Sequence, residues 1–255
     1  MRHSLGGELT TTGQASPGAN GCWIFRGEGQ GAAVGFAGRG PVGTRQEVLF
    51  SLTGERRPVA WARQIHSARV LPARSGECGE GDALVAARSG ECGDGDALVA
   101  REPGIALSIV TADCVPVLLA GPAGIAAAHA GWRGIAAGVV GATVAALGGP
   151  PDESMAWIGP AIGRCCYETG PDVAAQVAAA SDPAVVIPGP AGRPHLDLQD
   201  AVRRQLVTAG LHQRQIRVLP LCTKCEASRL HSYRREGKGA GRNHAFIWLV
   251  SGLPD

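Results

Sequence analysis

The chain has 255 residues, of which 45% are hydrophobic, so it can fill the core of one large or two small domains. Its formal net charge is +2, and nearly all of its 24 basic residues are arginine, which gives no support to nucleic-acid binding. The first residues contain no apolar signal region, and the longest nearly apolar run, residues 134–147, is shorter than the roughly 20 residues that a membrane span needs. We therefore expect a cytoplasmic protein that binds neither membranes nor nucleic acid.

The first third of the chain is weakly patterned. Residues 1–45 are rich in glycine, which predicts irregular structure with a short strand over residues 22–25. Residues 73–86 (ARSGECGEGDALVA) recur as residues 87–100, with Asp94 in place of Glu80. Two copies of this length do not build a solenoid. Because the second copy leads directly into the next apolar segment, we expect its Asp96-Ala-Leu-Val to form a strand and the first copy to be a surface loop.

From residue 105 onward the pattern predicts regular elements. Apolar runs predict buried strands at residues 105–111, 115–120, 125–129, 216–222 and 244–250. Residues 135–147 are apolar throughout and end at two glycines, which is typical of one buried helix with a glycine cap. Further helices are predicted after Pro171 and after Asp197.

The order of these elements predicts the fold class. Strands and helices mix without a regular βαβ rhythm, so we expect an α+β or mixed α/β fold rather than a Rossmann fold. The expected arrangement is a single layered domain over residues 1–255, with mixed sheets and flanking helices. The oligomeric state is not fixed by the sequence, and a monomer is the working expectation.

Three segments place a histidine or cysteine beside a tight turn where a predicted strand ends. They are Gln64-Ile-His66, Ala112-Asp-Cys114 and Ala128-His129-Ala-Gly. His66, Cys114 and His129 would give zinc three protein ligands and leave its fourth position open, which is the pattern of a catalytic site. Spacing alone leaves the alternative that the cysteine is a small buried hydrophobe and the histidines are structural.

These segments and several others resemble the YfiH family, also called the laccase-domain, polyphenol oxidase-like or peptidoglycan editing factor family. The resemblance extends from about residue 64 to the C-terminus and rests on QIH, DALV, TADCVPVLL, AAAHAGWRG, WIGPAIG, CYETG, SYRREG and FIWL. It implies a YfiH-like fold and implies that His66, Cys114 and His129 bind zinc, with copper as the alternative metal. Members of the family usually begin with a threonine- and glycine-rich segment, which this sequence lacks. Arg45 is the one residue that faintly matches that N-terminal region.

The resemblance also implies an activity. Family members phosphorolyse adenosine, inosine and methylthioadenosine to the free base and ribose 1-phosphate or methylthioribose 1-phosphate, and they deaminate adenosine. The partners expected are therefore a small-molecule nucleoside and phosphate. Zinc suits the deamination because the ion lowers the pKa of bound water toward about 7.

Candidate catalytic residues follow from these reactions. Asp113, next to the cysteine ligand, is the candidate proton carrier, with an orienting role as the alternative. Arg133 and Arg235 are the candidate phosphate ligands, because a guanidinium group binds phosphate through two hydrogen bonds. Arg234 is the weaker choice. Tyr167 and Trp132 are candidates to stack on the purine, with a place in the hydrophobic core as the alternative.

Other functions remain open. Cys114 as nucleophile with His129 as base would give a cysteine hydrolase or amidase, and metal content separates this from a zinc enzyme. A protein that binds or edits peptidoglycan precursors is the non-catalytic alternative. A copper polyphenol oxidase ranks last, because multicopper centres need many paired histidines and this chain has seven scattered ones.

The cysteines are expected to be reduced thiols, because eight of them occur without a secretory signal. The spacing Cys222-Thr-Lys-Cys225 is a weak signal for a redox or metal pair. Free thiols are the favoured interpretation, and the same holds for Cys165 and Cys166. The motifs of zinc nucleobase deaminases, H-x-E with P-C-x-x-C, are not matched.

Overall fold

Two β-sheets pack face to face between layers of helices in the computed structural model, which describes residues 7–8, 22–26, 31–73 and 90–250. Within these residues one sheet has seven strands. In spatial order they are β1 (Gly7–Glu8), β2 (Cys22–Arg26), β3 (Ala32–Ala37), β15 (Asn243–Leu249), β8 (Ala106–Thr111), β4 (Val59–Arg63) and β6 (Gly90–Asp94).

The second sheet has six strands in the described part of the chain. In spatial order they are β14 (Ile216–Val218), β11 (Met155–Ile158), β9 (Val115–Gly121), β10 (Gly124–Ala130), β7 (Ala97–Ala100) and β5 (Val70–Pro72). A separate two-stranded ribbon pairs β12 (Val186–Pro188) with β13 (Pro194–Leu196). Both large sheets contain parallel and antiparallel pairs, which confirms the mixed α/β class.

The described residues contain six α-helices, several of which cover the outer faces of the sheets. They are α1 (Arg45–Thr53), α2 (Trp132–Ala136), α3 (Val139–Leu147), α4 (Pro171–Ala180), α5 (Leu198–Thr208) and α6 (Tyr233–Glu236). Every helix in the described ranges falls short of the length and apolar character needed to cross a bilayer.

Three clusters of buried side chains define the layers. One lies between the sheets and includes Trp23, Leu118 and Trp157. A second lies between the six-stranded sheet and α3 and α5, and the third lies between the seven-stranded sheet and α1. The order of layers is therefore helix, sheet, sheet, helices. All seven residues of β9 and of β10 are buried, because both faces of these strands are covered, and this explains their unbroken apolar runs.

Several predicted elements are confirmed. The strands at residues 105–111, 115–120, 125–129 and 244–250 correspond to β8, β9, β10 and β15. Helix α4 begins with Pro171 at its first position, and α5 is capped by Asp197, whose side chain accepts from the Asp200 N–H at 3.0 Å. Residues Ala97–Ala100 of the second repeat copy form β7 as expected. The first copy lies almost wholly in residues 74–89, outside the described residues.

Other predictions are wrong in part. Residues 135–147 form two helices, because Gly138 adopts a left-handed φ of 82° between them, and their outer faces are not fully buried. The strand expected at residues 216–222 ends at Val218. Residues 1–45 were expected to be irregular beyond one strand, but they contain β3, whose small residues are all buried. Cys92 is disulfide-bonded, against the expectation of reduced thiols throughout.

The buried position of β3 gives a stability test. Val34 in β3 is fully buried between the sheets, whereas Val207 on α5 is 38% exposed. We expect Val34→Ala to lower the free energy of unfolding by about 2 kcal/mol, because the substitution removes buried methyl groups and leaves a cavity. Val207→Ala is the matched control and should change it by less than about 0.5 kcal/mol. Urea unfolding of both variants measures this, and equal stabilities would contradict the packing of β3 in the core.

Candidate metal centre

The strand ends of the two sheets bring the predicted ligands to one place. Strand β4 runs parallel to β8, so both end at the same edge, where β4 leads to His66 and β8 leads to Cys114. In the second sheet the start of β9 pairs with the end of β10, which carries His129. One ligand atom from each of the three residues lies within 4.8 Å of the others. The two imidazole rings are 4.9 Å apart and nearly perpendicular, at 78°.

A buried carboxylate, Asp96, fixes this arrangement. One carboxylate oxygen accepts the backbone N–H of His66 at 3.0 Å and lies 2.8 Å from Nδ1 of His129. The other oxygen accepts the backbone N–H of Ile65 at 3.2 Å and the N–H and hydroxyl of Ser67 at 2.5 and 2.8 Å. With Nδ1 engaged, Nε2 of His129 is the ring nitrogen left for a metal. Asp96 is fully buried and directly precedes β7.

The charges at this site favour ionised groups. Burial raises the pKa of Asp96, but hydrogen bonds from His129 and Ser67 outweigh it and bring the pKa to about 2. Burial likewise raises the pKa of Cys114, and the two histidines beside it lower the pKa to about 6. For His129, burial lowers the pKa, while Asp96 and Cys114 raise it to about 9. The surroundings of Cys114 thus favour its thiolate, which is the form that binds metals.

The backbone is strained on both sides of the ligand set. Within the described residues, His66 and Asp113 are the non-glycine residues with positive φ, at 60° and 99°. The hydrogen bonds that the backbone N–H groups of residues 65–67 donate to Asp96 hold His66 in this conformation. Asp113 is held by the Thr223 hydroxyl and the Arg234 N–H, each of which donates to its carboxylate at 2.6 Å.

Gly131, which follows β10, makes room for the ligands. A Cβ at this position would lie 2.9 Å from Sγ of Cys114 and 3.1 Å from Cδ2 of His66. Contacts this short do not occur without displacement of a neighbour, so a larger residue would push the ligands apart. The glycine of the AHAGWRG segment therefore has a direct role in the geometry of the site.

A cavity of about 790 Å³ opens onto the three ligands. Its walls carry two carboxylates, several arginines and four aromatic side chains. These are Glu91 and Asp113; Arg45, Arg63, Arg133, Arg234 and Arg242; and Trp61, Trp132, Tyr167 and Tyr233. The excess of arginine over carboxylate makes the cavity suited to anions, and the aromatic rings offer flat apolar surfaces.

The structure brings some predicted catalytic residues into this cavity and not others. The guanidinium group of Arg133 lies 4.4 Å from the centre of the Trp132 ring and has no hydrogen bond to any described protein group. The guanidinium group of Arg234 lies over Tyr167 at 5.2 Å. Arg235 is not among the lining residues. Its guanidinium group donates to main-chain carbonyls, those of Thr223, Lys224 and Leu230, at 2.5–2.8 Å and pairs with Glu236.

Sequence reasoning missed several residues of this site, and two of them have contacts that bear on its geometry. Asp96 lies in the DALV segment, yet its contact with His129 joins residues 33 positions apart, and no local pattern reveals it. Arg45 lines the cavity with its guanidinium group 4.8 Å from the centre of the Trp61 ring and with a buried Nε that has no hydrogen-bond partner. The sequence does contain a helix-start signal next to Arg45. The residue before it, Thr44, is the N-cap of helix α1.

Comparisons with known proteins identify the family of the chain. A family model described as multi-copper polyphenol oxidoreductase laccase matches residues 41–250. A Streptomyces coelicolor protein named purine nucleoside phosphorylase is 39% identical over 228 residues, which cover 86% of both chains. A Pseudomonas aeruginosa protein of the same name is 36% identical over 198 residues, which cover 76% of this chain and 75% of the relative.

Solved structures give the same result at the level of the fold. The crystal structure of the Bacillus licheniformis hypothetical protein YfiH superposes with a TM-score of 0.74 at 27% identity and covers 86% of this chain and 92% of that one. That of YlmD from Geobacillus stearothermophilus gives a TM-score of 0.73 at 29% identity, with 87% and 93% covered. The sequence, the fold and the ligand segments together show that the chain belongs to the YfiH-type family of multi-copper polyphenol oxidoreductase laccases.

Proposed function

We propose that this chain is a zinc-dependent purine nucleoside phosphorylase that takes adenosine, inosine and methylthioadenosine and also deaminates adenosine. The observation that carries the proposal is the His66–Cys114–His129 set at the base of a cavity lined by arginines and aromatic rings. The curated relatives support it, because they are named purine nucleoside phosphorylases. The cavity volume of about 790 Å³ lies within the range of small-molecule sites, which supports binding of a nucleoside beside a phosphate.

The donor set suits a metal ion. Two imidazoles and a thiolate converge within 4.8 Å, and the buried Asp96 orients one of the imidazoles from behind, as in other metal sites. Nitrogen and sulfur ligands of this kind favour zinc, and three protein ligands leave a position for substrate. When bound there, the ion supplies a Lewis acid that polarises an oxygen of the substrate or of water.

The arginines and the aromatic rings would bind different parts of the substrates, the phosphate and the purine base. In phosphorolysis a phosphate oxygen forms a bond to C1′ of the nucleoside while the bond from C1′ to the purine nitrogen breaks. Arg133 has free donors, so it is the first candidate to hold the phosphate, with Arg234 second. Trp132 and Tyr167 present the rings on which a purine base would stack.

Two residues change their proposed roles. Both carboxylate oxygens of Asp113 already accept short hydrogen bonds, so we assign it the orienting role rather than proton transfer. By holding the backbone next to Cys114, it fixes the direction of the thiolate. The guanidinium group of Arg235 already donates to the main-chain carbonyls of Thr223 and Lys224. We therefore propose Arg234 in its place as the second phosphate ligand.

The test is phosphorolysis by metal-loaded and metal-depleted protein. Purified protein should contain zinc bound through Cys114 and should release hypoxanthine and ribose 1-phosphate from inosine only when phosphate is added. Chelation should abolish this activity and zinc should restore it, while Cys114→Ala should lose both the metal at this site and the activity. Cys22→Ala is the control, because Cys22 is buried in β2 away from the cavity.

Other outcomes of this experiment point to other functions. Activity on amide substrates that survives chelation and requires Cys114 would contradict the proposal in favour of the cysteine hydrolase. Copper in place of zinc, with oxidation of phenols, would favour the oxidase named in the family description. Within the described residues, the groups able to hold a metal contain two histidines, His66 and His129, which is too few for a multicopper centre.

One prediction for the proposed site concerns the carboxylate next to His129. We expect Asp96→Asn to weaken zinc binding at the His66–Cys114–His129 site by about 10- to 100-fold. The NH₂ group of the asparagine would face backbone N–H groups of residues 65–67 and Nδ1 of His129, which now donate to the carboxylate. Asp152→Asn, at an exposed position, is the matched control. Competition with a chelator of known affinity measures the change, and circular dichroism reports whether the fold is kept. Unchanged zinc affinity in a folded Asp96→Asn protein would show that the carboxylate does not orient a ligand.

A second prediction concerns phosphate. We expect Arg133→Ala to raise the KM for phosphate by roughly 10- to 100-fold, since a hydrogen bond to a charged group contributes about 1.5–3 kcal/mol. The KM for inosine should change much less. Arg214→Ala is the control, because Arg214 is exposed and lies outside the cavity. Steady-state kinetics with each substrate varied in turn separates the effects, and an equal rise in both KM values would argue against a phosphate site at Arg133.

A further inference from the structure

Four cysteines from two separate loops meet outside the site described above. Cys165 and Cys166 lie in the loop after β11, and Cys222 and Cys225 lie in the loop after β14. All four sulfur atoms lie within 4.8 Å of one another. The Cys225 sulfur is 3.7 Å from that of Cys165 and 3.5 Å from that of Cys166.

These distances fit a tetrahedral set of metal ligands. Zinc–sulfur bonds of about 2.3 Å in a tetrahedron place the sulfur atoms about 3.8 Å apart. The four residues are free thiols in the structure. A pair of disulfides would join the sulfurs two by two, whereas here Cys225 has two sulfur neighbours at similar distances. The arrangement is therefore that of four ligands around one centre.

The main chain supports a negative charge on one of the four sulfurs, that of Cys222. The N–H of Gly163 points at the sulfur of Cys222, at 3.3 Å. A Cβ on Gly163 would lie 3.1 Å from Cβ of Cys222 and 3.3 Å from the sulfur of Cys165, so the absence of a side chain allows this approach. An amide that donates to sulfur stabilises the thiolate, which is the form that binds zinc.

The two loops are held in register without any ion. The Ala161 N–H donates to the carbonyl of Leu221 at 3.2 Å, and the Thr223 N–H donates back to the carbonyl of Ala161 at 2.9 Å. The loops thus run side by side as a short parallel bridge between Ala161 and Cys222. This pairing places the Cys165–Cys166 pair against the C-x-x-C pair before any metal binds.

We propose that Cys165, Cys166, Cys222 and Cys225 bind a second zinc ion as a closed tetrathiolate site. Each thiol that binds the ion releases its proton to solvent. Four protein ligands leave no position for substrate, so this ion is structural. The proposal does not depend on the zinc of the proposed function, since the two sites share no ligand.

The position of the cluster gives the ion a role in the function of the chain. Tyr167 directly follows Cys166 and lines the cavity, and Thr223 directly follows Cys222 and holds Asp113. An ion at the cluster would therefore fix the loops that carry one wall of the cavity and the support of the Cys114 turn. Its loss should loosen both.

Metal content of the full-length protein tests the proposal. We expect Cys114→Ala, which disables the first site, to keep about one zinc ion per chain. The double variant Cys222→Ser and Cys225→Ser should lose the ion of the cluster, and Cys22→Ala should leave the metal content unchanged. Elemental analysis after gel filtration measures all three. If the first site binds no metal at all, the wild-type protein should still hold about one zinc ion, lost in the double variant.

A second measurement covers the case in which the double variant fails to fold. Cobalt added to reduced, metal-free Cys114→Ala protein should give the intense sulfur-to-metal absorption of a tetrathiolate site, and added zinc should abolish it. Two results would overturn the proposal. One is that the Cys114→Ala protein binds neither zinc nor cobalt while folded. The other is that thiol titration of the unreduced protein finds these four cysteines joined in disulfides.

Discussion

One buried carboxylate, that of Asp96, joins the backbone amides of residues 65–67 to the imidazole of His129. An unpaired charge at a fully buried position would be costly, so the Asp96 carboxylate requires these partners, and they in turn lose their positions without it. The positive φ of His66 depends on the same bonds. The loop conformation and the orientation of His129 thus depend on the same carboxylate.

The arrangement of the sheets explains why this carboxylate can act on both histidines. Asp96 precedes β7, which pairs with β10 so that Ala97 lies opposite Ala128, the neighbour of His129. Strand β4, which leads to His66, belongs to the other sheet. The site therefore lies where the ends of both sheets meet, and packing between the sheets determines how far apart the ligands lie. In the proposed tetrathiolate site, an ion bound by the four cysteines would also fix the cavity wall that carries Tyr167.

Local patterns in the sequence predicted the elements with long apolar runs or clear caps, such as β9, β10, α4 and α5. They did not predict β3, because its Ala-Ala-Val-Gly-Phe-Ala sequence is buried on both faces and shows no alternation. Helix α1 did carry a signal, the capping box of Thr44 and Glu47. The candidate metal ligands were predicted from turns and from the family resemblance. The contacts of Asp96 and the meeting of Cys165 with Cys225, 60 positions apart, depend on tertiary structure that spacing does not reveal.

The central claim is that His66, Cys114 and His129 hold a catalytic zinc ion oriented by Asp96. Anomalous diffraction from crystals of the protein, collected on both sides of the zinc absorption edge, tests it most directly. The account predicts a zinc peak bonded to the Cys114 sulfur and to one ring nitrogen of each histidine, with Nδ1 of His129 still on Asp96. A map with no metal peak between these side chains, from protein grown with zinc, would contradict it.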